Sequence, residues 1–204
     1  EAFAEIYRKN DIAQIKVNRN GISAKKSWAN KETSNNPRVV CGHIGGMSAH
    51  KGYFLLKEAI EAQQPENIAL LLVDHSKEEG FSDHSYWGTV PVTIIGRVAQ
   101  DRIVNLYRQI DILFAPSIWP ESYGLVTREA AACGCWVVAS DLGGIGEDVI
   151  EGESGFIVKP DLQSLSKVIN DIDRDVAKFK NIPKSSSVRL VTEQVEELVH
   201  YYGK

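Results

Sequence analysis

The residues best suited to chemistry in this sequence are two glutamates, Glu121 and Glu129, which stand eight positions apart. A helix that begins near Gly124 leaves its first backbone N–H groups unpaired, and such groups can hold an anion such as a phosphate. Glu129 would then lie about one and a half turns along that helix, within reach of the hydroxyls of a ribose. Glu121 would lie on the preceding loop, nearer to a group linked to the phosphate. The spacing fits a phosphorylated sugar ligand, although each glutamate taken alone also fits an ordinary surface position.

A third candidate is Lys51, which precedes Gly52 in the loop after the apolar run that begins at Val39. Its ammonium group can neutralise a diphosphate. Gly45 and Gly46 lie earlier in the same loop, where the lack of side chains permits a ligand to approach the backbone closely. Lys51 is therefore a candidate for phosphate chemistry.

The elements that must position these loops follow from the alternation of apolar and amphipathic segments. This alternation is typical of parallel strands joined by crossover helices. The predicted strands are Val39–Ile44, Ile68–Val73, Val92–Ile95, Ile112–Pro116, Trp136–Ser140 and Gly155–Val158. The predicted helices are Gly52–Ala62, Asp101–Ile110, Leu125–Cys133, Leu162–Asp173 and Val188–Tyr202. In an open parallel sheet ligands bind at the carboxyl ends of the strands, so the loops that follow them should carry the site.

Two segments are interpreted as connection or packing. His75–Thr89 is predicted to be a polar loop with Tyr86 and Trp87 tucked against the sheet. The helix over residues 101–110 turns the apolar side chains of Ile103, Leu106 and Tyr107 to one face, which favours core packing over ligand binding.

Composition excludes several classes of partner. The 204 residues carry a net charge of -4 and supply no basic field for nucleic acid or an anionic membrane. No run approaches the roughly 18 apolar residues of a membrane span, and the N-terminus lacks the features of a signal peptide. The three cysteines, Cys41, Cys133 and Cys135, lie in or beside apolar runs without CxxC spacing, as expected of reduced buried thiols. These features predict a cytoplasmic protein.

A metal site is not predicted. Among the five histidines, His75 and His84 with Asp83 form the only local cluster in the sequence, and their spacing matches no familiar set of ligands.

Residues 116–140 resemble the signature of family 4 of the retaining glycosyltransferases. In that family two glutamates eight positions apart flank a Gly-Leu-Val segment, followed by Glu-Ala, a small-residue helix, a glycine and a Val-Val-Ala-Ser strand. The matching residues here are Glu121, Gly124-Leu125-Val126, Glu129-Ala130, Gly134 and Val137–Ser140. The similarity extends from Val39 to about Pro160, and includes Gly143-Gly144, Glu147 and Gly155–Val158.

The resemblance implies a GT-B fold, in which two Rossmann-like domains face each other across a cleft, with this chain as the C-terminal half. It implies metal-independent transfer of a sugar from a nucleotide-diphospho-sugar, with retention of anomeric configuration. Glu129 would bind the ribose hydroxyls, Glu121 would bind a hydroxyl of the transferred sugar, and Lys51 would stabilise the departing diphosphate. Further contacts to phosphate, sugar or base are implied for Gly45, Gly46, Arg97, Val98, Ser122, Tyr123, Gly124, Leu125 and Val126.

One position departs from the family pattern. The commonest pattern has an arginine five positions before the lysine of the Lys-Gly pair, and Gly46 stands there. Half of the usual cationic clamp is therefore missing, and Arg97 or a residue of a second domain is a candidate to replace it.

The resemblance also implies a division of the chain. Residues 1–22 resemble the end of an N-terminal acceptor domain, and residues 23–37 have the composition of a linker. Residues 38–185 form the predicted nucleotide-sugar-binding domain, and residues 186–204 a helix that packs back toward the N-terminal domain. The acceptor, a glycan or a lipid-linked sugar of cell-surface polysaccharide or glycoconjugate synthesis, would be held by that other domain. The chain alone is expected to bind donor weakly and to transfer nothing. Peripheral association of the full protein with the inner face of the membrane is left open.

Three alternatives remain at this point. A Rossmann dehydrogenase fits the fold class, and Gly42, Gly45 and Gly46 follow a strand, but the sequence lacks a proper G-x-G-x-x-G and Asp74 is a poor match for the ribose-binding acid. A catalytically inactive nucleotide-sugar-binding or regulatory module of the same fold is suggested by Gly46. A sugar-nucleotide epimerase fits the fold but not the string from Glu121 to Ser140.

Overall fold

The computed structural model describes residues 5, 9, 17–23, 36–184 and 188–202. The strands in this part of the chain are β1 (Val39–His43), β2 (Ile68–Asp74), β3 (Ser82–Trp87), β4 (Val90–Gly96), β5 (Ile112–Ala115), β6 (Trp136–Ser140) and β7 (Gly155–Val158). The helices are α1 (Tyr53–Gln63), α2 (Ile103–Tyr107), α3 (Leu125–Ala132), α4 (Leu162–Arg174), α5 (Val176–Lys180) and α6 (Val191–Tyr202), with a 3₁₀ turn at Ala49–Lys51.

The strands form one seven-stranded sheet in the order β3-β4-β2-β1-β5-β6-β7. All neighbouring pairs are parallel except β3 with β4. The six parallel strands have the Rossmann order, in which the chain moves outward from β1 in one direction and then from β5 in the other. The loops after β1 and β5 consequently diverge and leave a crevice at the switch point, where such sheets bind ligands.

The parallel strands form from continuous apolar runs because helices cover both faces of the sheet. All residues of β1, β5 and β6 are buried. One face carries a core that includes Leu56 and Ile60 of α1 with Leu165 and Ile169 of α4. The other carries a core that includes Leu106 and Tyr107 of α2 with Ala130 of α3. The predicted doubly wound α/β class is confirmed.

The prediction of a loop over His75–Thr89 is wrong, because β3 lies inside it. This strand pairs antiparallel with β4 through a two-residue turn at Gly88 and Thr89. It is the edge of the sheet and mostly exposed, so its sequence lacks the apolar run of a central strand. Trp87 is buried as predicted, whereas the side chain of Tyr86 is 71% exposed.

The other differences are in element bounds. Helix α2 is shorter than the predicted 101–110, α6 begins at Val191 instead of Val188, and α5 was not predicted. The interpretations that concern residues 1–16 and 24–35 lie, apart from Glu5 and Lys9, outside the described residues.

Residues 17–23 run beside the start of α6. Ile22 pairs with Leu190, and the N–H group of Val191 donates to the carbonyl of Ile22 at 3.0 Å. The side chain of Asn18 also donates to Glu197 of α6 at 3.0 Å. The segment before the main domain is thereby joined to its last helix.

Candidate functional site

A cavity of about 420 Å³ opens at the switch point of the sheet. We call it the switch-point cavity. Its lining comes from the ends of β1 and β5, the loops after β1, β2, β5 and β6, the start of α3 and the segment 17–23: Asn20, His43, Ile44, Gly45, Lys51, His75, Leu113, Phe114, Ala115, Ser117, Glu121, Ser122, Tyr123, Gly124, Leu125, Val126 and Ile145. The sequence predicted a site in these loops, and most of the predicted residues meet here.

Lys51 and Glu121 form an ion pair inside this cavity, with Nζ 2.9 Å from Oε2. The hydroxyl of Ser117 donates to the other carboxylate oxygen of Glu121. The backbone of Glu121 is fixed as well, because its carbonyl accepts from the N–H group of Gly144 at 2.6 Å. One cation and one carboxylate therefore stand side by side at the mouth of the crevice, each held by a different loop.

The start of α3 faces the same cavity. Gly124 caps the helix in the left-handed region at φ 78° and offers no side chain to the free N–H groups of the first turn. An added Cβ at this position would lie 2.8 Å from Cγ1 of Ile145. The hydroxyl of Thr127 bonds instead to the carbonyls of Gly124 and Ile145, at 2.9 Å each. Unpaired N–H groups, the positive end of the helix dipole and Lys51 together make this corner suitable for an anion.

Glu129 lies outside the switch-point cavity and lines a second cavity of about 560 Å³, the Glu129 cavity. Its other lining residues are Gly21, Ile22, Ser23, Gln100, Asp101, Val104, Asn105, Arg108 and Leu125. Leu125 lines both cavities and its side chain is 53% exposed, so it forms the ridge between them. A ligand with one end at Lys51 and the other at Glu129 would cross this residue.

A buried arginine holds the start of α3 from behind. The guanidinium group of Arg128 donates to the carbonyls of Tyr123 and Gly124, and to that of Gly144 at 3.1 Å. Its Nε lies 2.6 Å from a carboxylate oxygen of Asp148, and only 2% of the side chain is exposed. Arg128 therefore joins the loop that carries Glu121 to the loop after β6.

His43 is buried at the base of the switch-point cavity. Its Nδ1 lies 3.1 Å from the carbonyl oxygen of Phe114, and its Nε2 lies 3.1 Å from that of Gly46. A neutral imidazole can donate to only one of them. Burial, together with the nearby Lys51 and His75, lowers the pKa of His43 although the two carbonyls act to raise it, so the neutral ring is favoured.

The arginine position of the family pattern is structurally closed to a large side chain. Gly46 has φ 76°, and an added Cβ would lie 2.8 Å from Cδ2 of His75. His75 is fixed there because its Nε2 lies 2.8 Å from the carbonyl oxygen of Ile44. The imidazole of His75 lines the switch-point cavity and occupies the space that a side chain at position 46 would need.

The structure does not bring all the predicted residues together. Gly46, Arg97 and Val98 line neither cavity. The side chain of Arg97 pairs with Glu78 and is 57% exposed. Val98 packs against the core of the second sheet face.

Several residues at the site were not predicted from the sequence: Asn20, His43, His75, Ser117, Gln100, Tyr107, Arg128 and Asp148. His43 is the last residue of β1 and Ser117 lies in the loop after β5, and these positions at the carboxyl ends of strands were an available signal. Arg128 and Asp148 meet only through the packing of α3 on the loop after β6.

Within the described residues, no group of three or more His, Cys, Asp or Glu side chains is arranged to hold a metal ion. In the same part of the chain, no helix is long and apolar enough to cross a bilayer.

Comparison with known families and sequences gives a consistent result. Residues 24–184 match the model of the family described as glycosyl transferases group 1. The D-inositol 3-phosphate glycosyltransferase of Rhodococcus erythropolis is 44% identical over 71 residues, which cover 35% of this chain and 16% of that protein. The glycogen synthase of Mycobacterium tuberculosis is 26% identical over 192 residues, which cover 89% of this chain and 45% of that protein.

Solved structures share the fold. The sucrose-phosphate synthase of Thermosynechococcus elongatus superimposes with a TM-score of 0.74 at 21% identity, over 98% of this chain and 55% of that one. Anabaena Alr3699/HepE, solved in complex with UDP-glucose, superimposes with a TM-score of 0.67 at 25% identity, over 90% and 56%. These likenesses confirm the predicted class, a Rossmann-like domain of the kind that forms the C-terminal half of a GT-B fold. The chain spans at most about half the length of these relatives.

Proposed function

The chain belongs to the family of glycosyl transferases group 1, and from this premise we propose that it is the donor-binding domain of a retaining glycosyltransferase. In this proposal it binds a nucleotide-diphospho-sugar without a metal ion. Lys51 and the start of α3 take the diphosphate, Glu121 takes a hydroxyl of the transferred sugar, and Glu129 takes the ribose hydroxyls.

The observation that supports this proposal best is the Lys51–Glu121 pair at the switch-point crevice. An ammonium group can stabilise a departing diphosphate, and a carboxylate beside it can accept a hydrogen bond from a sugar hydroxyl. In a sugar diphosphate the phosphate and the sugar hydroxyls are neighbours, as Lys51 and Glu121 are in the cavity. The helix start adds N–H donors to the same corner, which supplies part of the positive charge that the missing arginine would give.

The proposed chemistry needs stabilisation of the leaving group more than a protein nucleophile. The bond between the anomeric carbon and the diphosphate breaks with its electron pair on the diphosphate, where Lys51 and α3 stabilise the charge. The acceptor hydroxyl attacks from the same face and its proton passes to the departing diphosphate, so the configuration is retained. Glu121, already bonded to Lys51 and Ser117, orients the sugar.

We propose that the acceptor binds to the other part of such enzymes, which this domain does not match. We propose a glycan or a lipid-linked sugar of cell-surface polysaccharide or glycoconjugate synthesis, handled in the cytoplasm or at the inner face of the membrane. The likeness to a protein solved with UDP-glucose supports a sugar nucleotide as the donor. The acidic net charge of -4 favours neither nucleic acid nor an anionic surface as a partner of the domain itself.

Donor binding is tested by thermal unfolding of this chain with UDP, GDP, ADP and TDP and the matching sugar nucleotides. A ligand that binds the folded state raises the unfolding temperature, and at equal concentration a tighter ligand raises it more. We expect one nucleotide series to raise it, and Lys51→Met and Glu129→Ala to reduce the effect. Lys57→Met is the control, because Lys57 pairs with Glu61 on the surface of α1 and lines neither cavity. No shift with any nucleotide would contradict the proposal.

A turnover assay distinguishes the donor-binding domain of an active enzyme from an inactive binding module. We expect no sugar transfer by these 204 residues alone, and robust transfer would contradict this expectation. Gly46, which removes a cation from the clamp, favours one alternative, a nucleotide-sugar-binding module without activity. This alternative predicts binding but no turnover even when an acceptor domain is supplied. Membership of the family argues against the oxidoreductase alternative, and titration with NADH should show no binding.

A further inference from the structure

The carboxylate of Glu129 is held by two donors that differ in their surroundings. The hydroxyl of Tyr107 donates to Oε2 at 2.9 Å, and the side-chain amide of Gln100 donates to Oε1 at 2.9 Å. Both donors come from the segment before and within α2, whereas Glu129 lies on α3. The sequence pattern assigned α2 to core packing alone.

Tyr107 is a core residue whose hydroxyl reaches the site. The residue is 0% exposed and its ring packs with Leu106 and Ile110 in the core of the second sheet face. Burial, followed by the charge of Glu129, raises the pKa of Tyr107 well above its usual value. The hydroxyl therefore keeps its proton and remains a donor, and the rigid ring fixes its position.

Gln100 is different because its side chain is exposed on the segment before α2. An exposed amide can exchange its bond to Glu129 for water or for a ligand at little cost. A carboxylate has about four acceptor sites, so the bond to Tyr107 leaves acceptor capacity for two hydroxyls. Glu129 is thus held by Tyr107 on the core side, whereas its hydrogen bond to Gln100 on the cavity side can be exchanged for a bond to a ligand.

We propose that Tyr107 is a positioning residue for nucleotide binding. Its hydroxyl holds Glu129 in the rotamer that presents the carboxylate to the ribose, and ribose hydroxyls displace Gln100. This inference rests on the proposed function, because it takes the ribose as the ligand of Glu129. The gain comes from preorganisation: a carboxylate that is already oriented loses less conformational freedom when the ligand binds.

The test uses a pair of ligands that differ only in the ribose hydroxyls. The nucleoside diphosphate that binds best in the panel above, for example UDP, is compared with its 2′,3′-dideoxy analogue by calorimetric titration. We expect Tyr107→Phe to weaken the binding of the nucleoside diphosphate about five- to tenfold, because the side chain of Glu129 must then be ordered when the ligand binds. The affinity for the dideoxy analogue should change less than about twofold, because that ligand makes no use of the orientation of Glu129.

A matched control is available in the same chain. The hydroxyl of Tyr201 also donates to a glutamate at 2.9 Å, that of Glu197 in α6, away from both cavities. Tyr201→Phe should leave both affinities unchanged. Glu129→Asp is a second variant that leaves the core intact, and its shorter side chain cannot reach Tyr107 and the ribose together. It should show the same ribose-dependent loss.

The outcomes separate this inference from the proposed function. If Glu129→Ala leaves the preference for the ribose hydroxyls intact, the ribose assignment fails, and the inference fails with it. If Glu129→Ala abolishes the preference but Tyr107→Phe and Glu129→Asp retain it, the inference alone is wrong. If Tyr107→Phe lowers the affinity for both ligands equally, the substitution disturbs the fold in general, and the inference is overturned.

Discussion

Nζ of Lys51 lies 2.9 Å from Oε2 of Glu121, although the two residues belong to loops that follow different strands. The two side chains remain 32% and 17% exposed, so the pair is partly screened and stabilises the fold by less than about 1 kcal/mol. Lys51 keeps donors for a phosphate because an ammonium group has three. The contact therefore positions two functional groups more than it stabilises the domain.

The two partners should differ in what they contribute to binding. Lys51→Met should weaken the binding of a nucleoside diphosphate at least about tenfold, because a charge-assisted bond to phosphate is lost. Glu121→Gln should leave that affinity equal or higher, because Lys51 no longer shares its charge with a carboxylate. It should reduce the preference for the sugar nucleotide over the diphosphate alone. Calorimetric titration measures both, and a loss of diphosphate affinity in Glu121→Gln would contradict the assignment.

Removal of the Arg128 side-chain charge should destabilise the domain strongly. Arg128→Met leaves Asp148 and three carbonyls without their buried cation, and we expect a loss of about 3–5 kcal/mol in the free energy of unfolding. Arg128→Lys should not restore it, because an ammonium group cannot reproduce the planar fork. Urea denaturation provides the measurement.

The control for Arg128 is an exposed ion pair. Arg102, whose side chain is 56% exposed, pairs with Glu79, and Arg102→Met should cost at most about 0.5 kcal/mol. Equal losses in the two variants would show that burial of Arg128 does not matter.

Introducing the family arginine at position 46 should not improve the binding of a nucleoside diphosphate. Gly46→Arg imposes a left-handed conformation on a residue with Cβ and a contact with His75, so we expect lower stability and no gain in affinity for a nucleoside diphosphate. Gly80→Arg is the matched control, because Gly80 has φ 86° with nothing within 4 Å of an added Cβ. The difference in unfolding temperature between them isolates the contact with His75. Tighter diphosphate binding by Gly46→Arg would contradict this account.

His43 should make stability fall as the pH is lowered. Its pKa in the folded protein is below 6.5, so the unfolded chain binds a proton that the folded chain does not. The free energy of unfolding is unaffected by this group well above pH 6.5 and decreases below it, by up to about 1.4 kcal/mol per pH unit. His43→Gln should flatten the dependence between pH 7.5 and 5.5 in urea denaturation, whereas His84→Gln, at an exposed position on β3, should not. An unchanged slope in His43→Gln would exclude this mechanism.

The sequence determined the parallel strands of the sheet, because most of them are continuous apolar runs. β6 and β7 begin and end at the predicted residues, and the loops after β1, β5 and β6 were placed correctly. β3 was missed because an edge strand has one side in water and needs no apolar pattern. Which loops carry the site could be predicted for the same reason, since parallel strands end at one edge of the sheet.

Only the tertiary structure decided which polar atoms meet. The sequence names Lys51 and Glu121, but their contact depends on β1 and β5 being neighbours. Tyr107 and Arg128 show the limit most clearly. The apolar pattern of α2 predicts a buried ring but not where its hydroxyl points, and nothing near Arg128 in the chain indicates that Gly144 and Asp148 will surround it. Periodicity reports which side of an element faces the interior, whereas a hydrogen bond between elements depends on distances that the strand order and helix packing set.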